Sequence, residues 1–194
     1  MMLWINSLGW LACAVYATIP SYWVLIHPWA PHWRKRKRSP YVVLLPVWFG
    51  MWVVSGMVTL PWRQVRLYGS PWTWIPAAAL FAGGLWLYWH SSKGFSAKQL
   101  GGLPELHVAN AEQRLVTTGV RARVRHPVYL GHLCEMMAWS IGTGLVICYA
   151  LTVVAVVTGA VMIRMEDEEL AQRFGAQFTA YSDRVPAVLP KLRG

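Results

Sequence analysis

Residues 128–163 read VYLGHLCEMMAWSIGTGLVICYALTVVAVVTGAVMI, an apolar stretch interrupted by a single acid, Glu135. A helix needs only ~20 residues to cross the ~30 Å hydrocarbon layer of a bilayer, so the stretch is too long for one crossing. Gly142-Thr143-Gly144 lies in its middle, and glycine is the usual residue where a helix stops in a tight turn. The stretch therefore predicts a helical hairpin. Its first arm runs from about Pro127 to Ile141, roughly 21 Å at 1.5 Å per residue, too short to cross alone. Its second arm runs from about Leu145 to Met165.

Working outward, three more apolar blocks precede the hairpin, from about Leu3 to Trp29, Tyr41 to Trp62 and Pro71 to Trp89. Each is long enough to span as a helix, and Pro46, Pro61 and Pro76 in or near them predict kinks. The chain is 56% hydrophobic and 13% charged, against roughly 25% charged in a soluble domain. Many of its 13 Trp, among them Trp29, Trp33, Trp62, Trp72 and Trp74, sit at block ends, where the ring suits the membrane interface. The expected fold is an all-α integral membrane protein with about five transmembrane helices, the last two forming the hairpin. Residues 1–194 form one membrane domain: helices over 1–89, then a linker, the helix pair and a helical tail over 90–194. The first block has no basic residue before it and no small-residue cleavage site, so it reads as a retained helix and not a signal peptide.

All of the 18 Lys and Arg except Arg63 and Arg66 fall between blocks one and two, between blocks three and four, or after the hairpin. The positive-inside rule places these groups in the cytoplasm and the N-terminus outside. A net charge of +10 would suggest nucleic acid in a soluble protein. Here the basic residues flank apolar blocks, so lipid headgroups explain them and no nucleic-acid partner is expected. Cys13, Cys134 and Cys148 lie inside apolar blocks without metal-ligand spacing, and no metal site is expected.

Three constellations carry chemistry. The first is Arg125-His126-Pro127-Val128-Tyr129. Pro127 fits a first helical turn, whose free N–H groups attract an anion, and Arg125 adds a full charge. The second is Arg164-Met165-Glu166-Asp167-Glu168-Glu169 after the hairpin. Were the helix to continue, Arg164 would pair with Glu168 at i,i+4, leaving Glu166 and Asp167 to face elsewhere. The third is Glu135, with His132 one turn before it on the same face. An ionisable group at membrane depth is expected to be functional, and this pair would address a substrate. Gly83-Gly84 predicts close helix packing, and the remaining histidines read as interfacial side chains.

Taken together, these pieces resemble the isoprenylcysteine carboxyl methyltransferase and phospholipid methyltransferase superfamily. The resemblance runs from about Gln113 to Pro190. It comprises Leu115-Val116-x-x-Gly119, Arg125-His126-Pro127-x-Tyr129, Glu166-Asp167, Leu170, Phe174-Gly175, Tyr181, Val185-Pro186 and Pro190. It implies a membrane methyltransferase using S-adenosylmethionine, with a cytoplasmic cofactor pocket and a lipid or lipid-like acceptor, amine or carboxylate, arriving from the bilayer. By resemblance the cofactor contacts are Gln113, Leu115, Val116, Gly119, Arg125, His126, Pro127, Tyr129, Glu166 and Asp167. Glu135 and His132 stand on the substrate side. Departures are Arg121 where an aromatic residue is common, Gln113 where histidine is common, and Met162 where the carboxyl methyltransferase branch has arginine. Arg164 is two residues from that place, ~200° around a helix, which leaves an amine or other headgroup open. The same C-terminal pattern also resembles NADPH-dependent membrane sterol reductases, which are usually longer, and a non-catalytic scaffold or transport protein is the third reading. The oligomeric state is not legible.

Overall fold

The computed structural model describes residues 2–36, 39–93, 106 and 114–190, and its regular elements there are helices apart from one antiparallel bridge, Arg66–Leu145. In chain order they are α1 (Met2–Val24), α2 (Ala30–Arg34), α3 (Tyr41–Thr59), α4 (Trp74–Ser92), α5 (Pro127–Thr143), α6 (Val146–Phe174) and α7 (Ala176–Ser182). Short 3-10 turns cover Leu60–Trp62, Pro71–Thr73 and Gly119–Ala122.

Three segments are long and apolar enough to cross a membrane by length and composition: Leu3–Val24, Tyr41–Trp62 and Val146–Phe174. Five such spans were expected. The difference lies in α4, which spends its length on aromatic and small residues, and in α5, which carries His132 and Glu135. α3 shows most plainly what solvent the fold is built for. Its Val42, Phe49, Val54, Met57 and Val58 are each more than 59% exposed. An apolar strip of that extent is stable against lipid and not against water.

The hairpin forms, with shifted bounds. Pro127 opens α5 and His126 occupies its N-cap. The turn falls at Gly144, whose φ of +66° is the left-handed conformation that glycine adopts without strain, and its N–H reaches the Ser140 carbonyl at 2.9 Å. α5 thus runs to Thr143, past the expected Ile141. α6 does not stop near Met165 but continues through the acids to Phe174. Residues 166–173 are mostly strong helix formers, so the change at Arg164 marks the end of the apolar layer and not of the helix. α1 ends at Val24, before Pro28, and not near Trp29. Arg164 and Glu168 are both exposed and form no ion pair.

α1 packs along α6 and α5 through Trp10, Cys13, Ala14 and Ala17 against Met136, Cys148, Leu151 and Ala155. α4 and α5 form the most extensive helix pair. A Cβ on Gly84 would lie 3.1 Å from Glu135 Cγ and from the Gly131 carbonyl, and one on Gly131 would lie 2.6 Å from the Tyr88 ring. Gly84 is therefore the packing member of the Gly83-Gly84 pair; nothing lies within 4 Å of a Cβ on Gly83.

The bundle has two different ends. At one, the chain after α3 closes on the α5–α6 turn, with Leu67 N–H donating to the Gly144 carbonyl at 2.8 Å and Arg66 donating to Asn6 Oδ1 at 2.7 Å. At the other, α2, the start of α5, the end of α6 and the tail after α7 converge, bringing Arg34, Arg125 and Arg173 together. Lys98, His107 and Gln113 of the linker lie outside the described residues.

Candidate functional site

Continuation of α6 past the apolar layer aims Glu166 and Asp167 at the start of α5. His126 sits between them, Nδ1 at 3.2 Å from Glu166 Oε2 and Nε2 at 3.0 Å from Asp167 Oδ1. Arg125 Nη2 donates to Asp167 Oδ2 at 2.6 Å. Arg125 Nη1 also donates to the carbonyls of Ser182, at 3.0 Å, and Val185. The main chain follows the same route, with Arg125 and His126 N–H groups donating to the Pro186 and Ala187 carbonyls, each at 2.9 Å. Two sequence segments forty residues apart, and a third beyond α7, are thus stitched into one polar knot.

Burial by itself would lower the His126 pKa, but the Glu166 and Asp167 carboxylates outweigh it and hold the imidazole up to about 9. Burial would raise Glu166, but His126 outweighs that and holds it down to about 2. Asp167 is lowered for the same reason, by His126 and Arg125 against burial. At neutral pH the knot is an imidazolium and a guanidinium facing two carboxylates, with no net charge.

Leu115 packs with Phe178, Tyr181 and Val185, and Tyr181 donates to the Arg121 carbonyl at 2.7 Å. The Leu115–Gly119 strip, half-buried at Val116 and turned by Gly119 at φ +65°, lies beside this tail. Arg121 Nη1 reaches the Ser91 carbonyl at the end of α4, at 3.0 Å. Tyr129 points the other way. Its ring packs on Met162 and Ile163, and its hydroxyl donates to the Ala155 carbonyl at 3.3 Å. Gln113 is outside the described residues. Of the expected cofactor contacts, then, the structure brings Arg125, His126, Glu166 and Asp167 together, places Leu115 and Val116 alongside, and turns Tyr129 into helix packing.

Glu135 and His132 lie deeper, nine and six residues beyond His126. At 1.5 Å per residue His132 is roughly 9 Å along the axis from the knot. Glu135 is buried and accepts a hydrogen bond from the Tyr16 hydroxyl. The His132 ring is surrounded by those of Tyr16, Tyr88 and Tyr129, at 5.1, 5.4 and 6.3 Å between centroids. His132, Tyr16, Tyr88, Trp86, Trp89 and Val128 line a groove of about 1050 Å³ between α1, α4 and α5. The expected substrate-side pair is therefore split: His132 faces the groove, while Glu135 stands behind Tyr16.

Sequence reading missed a second ionic cluster. Buried Glu169 receives Arg34 at 3.1 Å, Arg173 at 3.5 Å and His27 at 3.9 Å. It ties the chain after α1 to the same end of α6. One signal was present: Glu169 and Arg173 are spaced i,i+4, and Glu169 lies one turn beyond Glu166. Nothing local marked His27 or Arg34 as its partners. Among the described residues no group of His, Cys, Asp and Glu is arranged to hold a metal ion.

Comparison with known proteins identifies the chain's relatives. The family model for phospholipid methyltransferase matches residues 72–177, which contain α4, α5, α6 and two of the three segments of the polar knot. A protein-S-isoprenylcysteine O-methyltransferase of Rattus norvegicus is 31% identical over 156 residues, covering 74% of this chain and 49% of its own length. One from Homo sapiens is 39% identical over 89 residues, 41% of this chain and 28% of its own, and the B form from Arabidopsis thaliana is 37% identical over 82 residues, 40% of each. The chain thus spans about half, or less, of the length of these curated relatives. No solved structure matches it. With more than half of its residues matched, including Arg125, His126, Glu166 and Asp167, the chain belongs to the phospholipid methyltransferase family.

Proposed function

We propose that this protein is a membrane methyltransferase that takes its methyl group from S-adenosylmethionine and delivers it to a lipid-like acceptor. The observation that carries the reading is the closure of His126 between Glu166 and Asp167 within two helical turns of a groove lined by apolar rings. A polar site and an apolar one meet there, as a charged donor and a lipid-like acceptor require. The relatives' names, all protein-S-isoprenylcysteine O-methyltransferases, support the same reaction class.

The residues at the knot fit the donor. No side chain caps the first turn of α5, so its N–H groups remain available to a carboxylate. Arg125 Nε is buried without a hydrogen-bond partner and adds a donor at the same place. Glu166 and Asp167 offer acceptors to ribose hydroxyls, and the Leu115-Val116 main chain lies alongside. When bound, the donor supplies an activated methyl on a sulfonium, which already carries its leaving group. The protein's part is then to orient and to exclude water. The knot fixes the start of α5 relative to α6, and α5 carries His132 from that fixed point to the groove. With Arg63 and Arg66 at the opposite end of the bundle from Arg34, Arg125 and Arg173, the positive-inside rule assigns the knot to the cytoplasmic face.

The test is transfer of labelled methyl from S-adenosylmethionine by the purified full chain to a membrane lipid extract and to prenylcysteine analogues. The reading expects label in the organic phase, reduced about 100-fold in His126→Ala, near 2.7 kcal/mol of lost transition-state stabilisation. Folded protein that labels none of these acceptors would reject it.

A further inference from the structure

We propose that α2 binds the headgroups of anionic phospholipids, and that this contact steadies the donor site through Arg34 and Glu169. The first half stands on the charge and placement of α2; the second rests on the methyltransferase reading.

The chain holds no Asp or Glu before Glu105. Positive charge placed between α1 and α3 therefore has no local acid to meet. Arg34 closes α2, Lys35 and Arg36 follow it, and the run continues in sequence as Lys37-Arg38. Arg34 is taken up by Glu169 at 3.1 Å. Lys35 and Arg36 are exposed, and among the described residues neither forms an ion pair. Arg36 rests on neutral groups: its Nε donates to His32 Nε2 at 3.3 Å, and its guanidinium stands 4.9 Å from the centre of the Trp33 ring.

Two neighbours set the depth of these cations. Trp29, just before α2, is 59% exposed, as an indole at a membrane interface is. Val42, near the start of α3, begins its lipid-facing apolar strip and is 67% exposed. Basic residues that adjoin such a strip lie level with the headgroups. A zwitterionic headgroup brings an ammonium that offsets the attraction of its phosphate; an anionic headgroup does not. The surface therefore fits an anionic lipid.

α2 also bears on the knot. Trp33 Nε1 donates to the Leu25 carbonyl at 2.8 Å, and its ring packs with Tyr22, Ile26 and Leu44, which seats α2 on the end of α1. One residue on, Arg34 holds Glu169, which lies one turn beyond Glu166 on α6. Headgroups that hold Lys35 and Arg36 thus keep Arg34 on Glu169, and with it the turn of α6 that presents Glu166 and Asp167 to His126. Such coupling is reciprocal, so a bound donor should also tighten the lipid contact.

The test places the full chain in bilayers of phosphatidylcholine alone, or with one part in three of phosphatidylglycerol. Association of spin-labelled phosphatidylglycerol with the protein is read by electron spin resonance, against spin-labelled phosphatidylcholine. Preference for the anionic label should fall about fivefold in the double variant Lys35→Gln, Arg36→Gln, and should fall in wild type as salt is raised. Both substitutions are of exposed side chains, so the fold is retained. Equal preference in wild type and the double variant would overturn the docking surface. S-adenosylhomocysteine binding is measured by calorimetry in the same bilayers. Wild type should bind it about threefold more tightly with phosphatidylglycerol present, and the double variant and Glu169→Gln should show no such gain. A role in topology alone would not move this readout. Anionic preference with no gain in wild type would overturn the coupling. Absence of binding in either bilayer would defeat the methyl-donor reading and the coupling with it, while the spin-label result decides the docking surface by itself.

Discussion

Raising the pH should unlock the knot at the end of α6, and the size of the effect follows from one imidazole. His126 has an ordinary value of 6.5, raised in the fold to about 9 by Glu166 and Asp167. A group whose pKa is raised on folding stabilises fully below its unfolded value and loses that contribution as pH climbs through its folded value. At about 1.4 kcal/mol per pH unit, the interaction is worth roughly 3 kcal/mol, all present below pH 6.5 and gone above about pH 10. The imidazole side chain is only 7% exposed, whereas the Glu166 and Asp167 side chains are 28% and 21% exposed, so solvent screening trims this figure without removing most of it. Glu166, lowered from 4.5 to about 2, describes the same pair from the acid side, so its share is counted once. The assay is thermal or denaturant unfolding of detergent-solubilised protein from pH 6 to 10, for wild type and His126→Gln. The difference between the two curves removes tyrosine and lysine titrations common to both. Wild type should lose roughly 3 kcal/mol more than the variant across that window. Parallel curves would refute the ionic reading of His126.

Further consequences concern packing and the tail. A Cβ on Gly159 would collide with the Tyr129 ring and hydroxyl, whereas one on half-buried Gly50 of α3 meets nothing within 4 Å. Gly159→Ala should therefore destabilise by about 1–3 kcal/mol, and Gly50→Ala should stabilise by up to about 1 kcal/mol; equal effects in unfolding experiments would contradict the α5–α6 packing. Arg125 holds Asp167 and the Ser182 and Val185 carbonyls together. Arg125→Ala should free the tail, seen as at least tenfold faster limited proteolysis within residues 183–190, with a cost of about 2 kcal/mol for the lost charge-assisted hydrogen bonds, since Asp167 keeps His126 as a partner. Tyr181→Phe removes one hydrogen bond, to the Arg121 carbonyl. It should cost only about 1 kcal/mol, and a loss as large as that of Arg125→Ala would mean that Tyr181 does more than this bond.

What could be read from residues alone divides by range. The hairpin was legible because Pro127 and Gly144 are local signals that dictate a helix start and a left-handed stop. The helical class followed from uncharged blocks that water would not tolerate. The end of α6 was misplaced because hydropathy reports the apolar layer and not the helix, and residues 166–173 favour helix regardless of solvent. At the site, the His126 and Glu166-Asp167 motifs stood out, but not that Asp167 and the tail carbonyls would take up the Arg125 guanidinium. The packing of Tyr129 was not legible because it depends on Gly159, thirty residues on, whose missing side chain makes room for the ring. Of the Glu169 cluster only the i,i+4 partner Arg173 could be read locally: Arg34 reaches it across 135 residues, and no local pattern encodes that distance.

The central claim is that the start of α5 and the end of α6 together make the donor's binding site. Calorimetric titration of the detergent-purified chain with S-adenosylhomocysteine addresses it directly, comparing wild type with Glu166→Gln and Arg125→Lys, which retain bulk while altering the knot. The account predicts measurable binding by wild type and at least tenfold weaker binding, about 1.4 kcal/mol, in each variant. Binding of equal strength in all three would contradict it and move the donor elsewhere in the molecule.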